Sequence, residues 1–498
     1  MATKSSKPKP KSTAKKKEVK PKAESQPVVA KQAEVQKEAA APVMGYLPDD
    51  TPPVGAMLSL GFQQFLTMFP ATVLVAILTR FDVGITLLAS GLGTIIALLV
   101  SKRKIPMYYG SSFSYIAVIQ TAMTLYASDC YSAAYASAPY CPEGVRIVQV
   151  GIVLTAVFEI LIGLLIMRIG KAALDKVLPP IVTGSMAMVI GIALANAALG
   201  NAGNWAAPEV ATQTWTVAFI TLLATILFSV YLQGKGLIGM LPILLGAVVG
   251  YLVSIPFGLI SFENVASAGW FELPKFTFPA FNNPDAWGMA LSVALIFIAT
   301  VPESTAHLYQ MSLYIDELAT ELGRKPFNIK ELIGLNLVAD GADDLVVGFL
   351  GGAAGTNYGE NNSLMAITRN YSTAVLMAAG GMAIVFGFFG KLVALVNTIP
   401  PAVVGGLSIY LFGVIGMQGV ALIQSEKVNL FDPKQLAVGA IILICGIGGN
   451  LALPNSVFPF QIPFLFPNGI PAIVFAAILG ILVNTIFVIF KSPEVRGG

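Results

Sequence analysis

Few ionisable side chains interrupt the long apolar runs of this chain, and the exceptions have spacings that suit chemistry. Glu303 and His307 are four residues apart, which places both on one face of a helix. His307 is the only histidine, and an imidazole titrates close to neutral pH, so the pair can hold or pass a proton. The plainer alternative is a satisfied polar pair that only packs two helices. Glu360 follows the Gly-rich stretch 351–355 within Tyr358-Gly359-Glu360-Asn361-Asn362. An extended stretch giving way to a helix there would surround the carboxylate with free backbone N–H groups; alternatively, Glu360 only caps its own helix. Tyr108, Tyr109, Phe113 and Tyr358 add aromatic faces. Carboxylates that accept, amides that donate and rings that stack together suit a small, neutral, planar polar solute. Two ionised carboxylates repel inorganic anions, and a sugar site favours more Asn, Gln and Trp. The chain shows no nucleophile–base set, no metal-ligand cluster and no phosphate-binding Gly-Lys-Ser/Thr loop, so neither an enzyme nor a metal or cofactor site is expected.

The elements that must hold these residues lie in a membrane. Of 498 residues, 55% are hydrophobic and 11% charged, against roughly 25% charged in soluble domains. About fourteen apolar segments can be drawn, among them 54–79, 83–100, 147–167, 287–315 and 401–423, many long enough for a hydrocarbon layer of roughly 30 Å. Segments 110–127 and 357–368 are short, and each follows residues suited to extended backbone. Paired interruptions of this kind at similar offsets in two halves mark a transporter's substrate site. The expected fold is therefore an all-α polytopic membrane protein of about 14 transmembrane segments, built as two inverted seven-segment repeats over 52–260 and 285–490. Its two half-helices are each preceded by a short extended strand. Residues 1–45 form a Lys-rich tail, with eleven Lys and four Glu in the first forty positions; such a composition reads as a disordered, solvated cytoplasmic extension. Lys102, Arg103, Lys104, Arg168, Lys171, Lys235, Arg324, Lys325 and Lys330 fall on one side if every segment crosses. That side is then cytoplasmic and holds both termini. Cys130 and Cys141 share one polar loop, where a disulfide and two free thiols are both open readings.

Four motifs carry a resemblance. Asn357-Tyr358-Gly359-Glu360-Asn361-Asn362, Ile105-Pro106-Met107-Tyr108-Tyr109-Gly110, Pro302-Glu303-Ser304-Thr305-Ala306-His307 and Ile399-Pro400-Pro401-Ala402 are similar to signatures of the nucleobase–ascorbate transporter family, and of its uracil permease branch in particular. The similarity runs in order from about residue 52 to 490. It implies a core domain and a gate domain, and import of uracil by proton symport across the inner membrane. In this resemblance Glu303 and Glu360 hold the ring's N–H groups, the backbone amides of Phe113 and Gly359 meet its carbonyls, and Tyr358 and Ala71 line the pocket. His307 joins Glu303 in the proton-linked network, and a homodimer in the lipid bilayer is implied, without specific nucleic-acid binding. The alternatives are a purine permease for xanthine, urate or guanine on the same fold, or an anion transporter or channel of similar architecture; an acidic residue at 360 favours uracil. The chain departs from the family pattern at Gln63-Gln64, where Gln-His is common, at Ser304, and at Pro302, which can bend its helix. Asp343 and Asp344 are extra charges, read from sequence as solvated at a segment end.

Overall fold

The computed structural model describes residues 45–490, apart from 132–139, 171–175, 177 and 464–465. The Lys-rich tail to residue 44 and Lys171 lie outside the described residues. The chain is mostly helical. In order, its main elements are α1 (Val54–Leu78), α2 (Val83–Val100), β1 (Tyr109–Ser111), α3 (Ile116–Tyr126), α4 (Pro142–Ile169), α5 (Pro180–Ala193), α6 (Pro208–Tyr231) and α7 (Pro242–Ser254). There follow α8 (Pro284–Ala294), α9 (Phe297–Glu321), α10 (Ile333–Leu350), β2 (Gly355–Asn357), α11 (Gly359–Thr368), α12 (Thr373–Gly387), α13 (Pro401–Ser425), α14 (Pro433–Leu443) and α15 (Ala472–Ile489). Seven of these helices open on a proline, which lacks the N–H that a first turn leaves unpaired. Asp82 opens α2 differently, its carboxylate accepting from the Ile85 amide at 3.0 Å.

Eight helices among the described residues are long and apolar enough to cross a membrane, and nine if α12 is joined to the segment Gly390–Val396 beyond an 83° bend. The fourteen segments drawn from sequence exceed this number for a physical reason. α3 and α11 are half-length, while α9 and α10 carry several ionisable residues that remove them from any count based on apolarity. The Pro302 departure does not break its helix: α9 runs through it, and the break falls before Phe297.

Two packed groups account for most helix contacts. α1, α2, α4, α8, α10 and α12 pack on one another around the strand pair, whereas α5, α6, α7, α13, α14 and α15 pack among themselves. Basic residues gather where the described chain begins. Arg324 reaches Asp50 and Asp49 at 2.6 Å, Arg369 pairs with Glu321, and Arg103 donates to Thr373. α1 runs from that end to Arg80, whose carbonyl accepts from the Cys141 amide. There Cys130 and Cys141 form a disulfide across an 11-residue separation. Replacing both cysteines with serine is expected to lower the unfolding temperature of the purified protein, because closing a loop of that size stabilises by about 2–3 kcal/mol. An unchanged melting curve would mean that the loop is held by other contacts.

Candidate functional site

β1 and β2 pair antiparallel, Tyr109 opposite Asn357, Gly110 opposite Thr356 and Ser111 opposite Gly355. Two further bonds close the ladder, from the Ser112 amide to Ala354 O at 2.8 Å and from the Tyr358 amide to Tyr108 O at 2.9 Å. Non-helical backbone inside a membrane survives only where protein satisfies its polar groups. Helix α2 supplies part of that cover: the Ser90 and Thr94 hydroxyls donate to Tyr109 O at 2.7 and 2.9 Å, and Thr94 Oγ1 accepts the Tyr109 amide. From α10, the Asp344 carboxylate accepts the Gly355 amide at 2.5 Å and the Tyr115 hydroxyl at 2.9 Å. The ladder ends at Ser112 and Tyr358, so the next amides, those of Phe113 and Gly359, belong to the first turns that follow. Both stretches therefore present N-terminal amides, with the positive end of each helix, from one small sheet.

Around those amides stand the residues singled out from sequence. Glu303 is solvent-accessible, accepts from the Ser114 hydroxyl at 3.3 Å, and lies within electrostatic reach of His307 and Glu360. Glu360, Gly359, His307 and Phe113 are half-buried. A Cβ added to Gly359 would stand 2.9 Å from His307 Nε2, so the imidazole rests on the start of α11. His307 Nδ1 contacts Asn357 Oδ1 at 2.7 Å and Asn357 O at 3.1 Å. A backbone carbonyl can only accept, so Nδ1 carries hydrogen and donates. The ring of Phe113 meets Phe412 of α13 edge-on, with centroids 6.3 Å apart, at a contact between the two helix groups.

Tyr358 and Ala71 are placed differently, both buried at 3% exposure or less. The Tyr358 hydroxyl donates to Ser111 O at 2.7 Å and lies 3.0 Å from Thr72 Oγ1, and its ring lies against Gly110. Its side chain clamps β1 to α11. Asp343 and Asp344 correct the sequence reading outright: both are fully buried, because α10 lies between α2 and α4 and no water-facing end of the helix reaches them.

An amide network links the site to its support and escaped the sequence reading. Ser304 Oγ accepts from Asn357 Nδ2 at 2.6 Å and from Asn336 Nδ2 at 2.7 Å. Asn361 Nδ2 donates to Gln64 through both its carbonyl and its Oε1, so the glutamine at 64 ties α1 to the second half-helix. The Asn-rich motif was the available signal, but its partners lie far along the chain. A recess of about 400 Å³ near the start of α2, lined by Asp82, Glu272 and Lys275 among others, holds none of these residues.

Residues 55–455 match the profile of a permease family. The chain is 35% identical over 439 residues to the uracil permease of Bacillus caldolyticus, covering 88% of this chain and 93% of the relative. It is 32% identical over 406 residues to the uracil permease of Escherichia coli K12, covering 80% and 86%. Among solved structures, the transmembrane domain of a cyanobacterial bicarbonate transporter, BicA, superposes with a TM-score of 0.55 at 17% identity, over 80% of this chain and 96% of that one. The murine anion transporter Slc26a9 in its inward-facing state gives 0.58 at 12% identity, over 92% and 74%. At such identities the likeness is one of fold.

Proposed function

This chain belongs to the nucleobase–ascorbate transporter family, and we propose that it carries uracil into the cell together with a proton. It is a multi-pass membrane transporter, not an enzyme. The observation that carries the reading is the strand pair that sets two helix starts beside Glu303 and Glu360. A uracil edge alternates two N–H and two C=O groups. The carboxylates of Glu303 and Glu360 accept from the former, and the amides of Phe113 and Gly359 donate to the latter. The Phe113 ring covers one face, while Tyr358 and Ala71 form the wall behind.

The proton belongs to the Glu303–His307 pair in this reading. A charge inside a membrane is costly to move. Uptake of one proton at the pair, with uracil bonded to the carboxylates, leaves the loaded site with less charge to desolvate. The strand-pair group then shifts against the group containing α13, and the site opens on the other side. A membrane potential contributes about 2.3 kcal/mol per charge per 100 mV to each cycle. We place the chain in the inner membrane as two inverted repeats, with the Arg103, Arg324 and Arg369 end and both termini cytoplasmic, the disulfide outside, and two copies joined through the α13 group.

Proteoliposomes loaded with the purified protein provide the test. An inward proton gradient is expected to drive labelled uracil above its external concentration, with excess cold uracil blocking uptake and xanthine leaving it intact. Equal competition by xanthine would move the assignment to a purine permease. Uptake indifferent to collapse of the gradient would remove proton coupling.

A further inference from the structure

Behind the strand pair, four carboxyl groups come together inside the protein. Glu159 stands on α4, and Asp340, Asp343 and Asp344 on α10; all are 2% exposed or less. Asp344 is the satisfied member, with its two donors from Tyr115 and Gly355. Glu159 Oε1 accepts from Thr300 at 2.8 Å, but among the described residues its Oε2 has no partner, and neither oxygen of Asp343 has one. Asp343 is wedged between two backbones: a Cβ on Gly93 of α2 or on Gly355 of β2 would fall within about 2 Å of its oxygens. The Tyr109 hydroxyl, 1% exposed and without a partner among the described residues, stands among Asp340, Asp343 and Glu159. The other ionisable groups facing the cluster are Tyr108, Tyr115, Tyr358 and Glu303. None of the ion pairs among the described residues brings a Lys, Arg or His to the four carboxyls.

Four like charges cannot share a low-dielectric interior without a counter-charge. Either cations or protons must neutralise them. No group of three His, Cys, Asp or Glu side chains among the described residues converges closely enough to hold a metal ion, which favours protons. The cluster also touches the strand pair and the network around His307. Asp344 holds β2 by the Gly355 amide, and Asp340 lies beside Ser304, whose oxygen accepts from Asn357, the partner of His307.

We propose that Asp343, with Glu159, Asp340 and Asp344 around it, forms a second proton-binding site, which exchanges its proton when substrate shifts β2 and the helix it leads. The exchange component rests on the transport reading above. The full chain in lipid nanodiscs is titrated with uracil calorimetrically, in buffers of different ionisation enthalpy, to count the protons linked to binding. D343N and E159Q are expected to bind uracil and to lower that count by about one. An unchanged count in both variants overturns the proposal, as does a count in the wild type that changes when sodium is replaced by N-methylglucamine, since sodium then occupies the cluster. Infrared spectra of ligand-free protein give a readout that needs no substrate. The wild type is expected to show a protonated-carboxyl stretch at neutral pH that weakens in D343N, or in E159Q should D343N not fold. Spectra identical to wild type overturn the site even where uracil binds, whereas a weakened band without uracil binding overturns the transport reading alone.

Discussion

Glu303→Gln is expected to end gradient-driven accumulation of uracil and to weaken uracil binding by about 10- to 100-fold, the loss of one charge-assisted hydrogen bond of roughly 1.5–3 kcal/mol. The substitution keeps the shape of the side chain. Its amide oxygen can still accept from Ser114, and the side chain faces accessible space, so folding should be little affected. Under the proposed mechanism, what disappears is the acceptor charge assigned to a ring N–H and the group assigned to share a proton with His307. Binding isotherms and gradient-driven uptake in proteoliposomes separate these two effects. A variant that accumulates uracil with the wild-type proton dependence would remove Glu303 from the mechanism and shift attention to Glu360.

The second large effect concerns a residue that contributes no side chain. At Gly110, a Cβ would meet the Tyr358 ring at 2.5 Å, so Gly110→Ala forces the ring or the strand to move. Neither has room. The ring is fixed by its hydroxyl bonds to Ser111 and Thr72, and the strand by its ladder and by Ser90 and Thr94. Overpacking of this kind costs about 1–3 kcal/mol, and here it falls between the two helix starts to which the proposal assigns the substrate. Uracil uptake by Gly110→Ala is expected to fall to background while the variant still inserts and purifies, with a melting temperature a few degrees below wild type. Near-normal uptake would show that the spacing of the half-helices is not what fixes substrate geometry.

Much of the site was legible before any coordinates. The i, i+4 spacing put Glu303 and His307 on one helical face, and the shift from a Gly-rich stretch placed a half-helix over 357–368, where α11 begins at Gly359. Local rules reach that far because helix starts and strand stretches depend on neighbouring residues. Partners distant in sequence were not legible. Nothing near Tyr358 in the chain says that its hydroxyl is committed to Ser111 and Thr72, or that Asn361 answers Gln64. Asp343 and Asp344 misled for a related reason. Two adjacent acids read as a water-facing end when only their own segment is considered, but α2 and α4 enclose them, with Gly93 leaving the gap that Asp343 fills. The number of crossings suffered from the same polarity: the helices that carry the chemistry are the ones whose composition hides them.

The two strands come from opposite halves of the chain, and this has a consequence for how the protein is made. When β1 has entered the bilayer, its partner is still to be translated, a delay of roughly tens of seconds at ordinary rates of synthesis. During that interval Tyr109, Gly110 and Ser111 have no β2 backbone to bond, in surroundings where each unmet peptide group costs several kcal/mol. The nascent first half must therefore linger in a water-accessible or chaperoned setting, or hold its half-helix out of the lipid, until Asn357 arrives. Assembly is thus gated by the second half, and a truncated chain ending before β2 should be a substrate for membrane quality control rather than a stable half-protein.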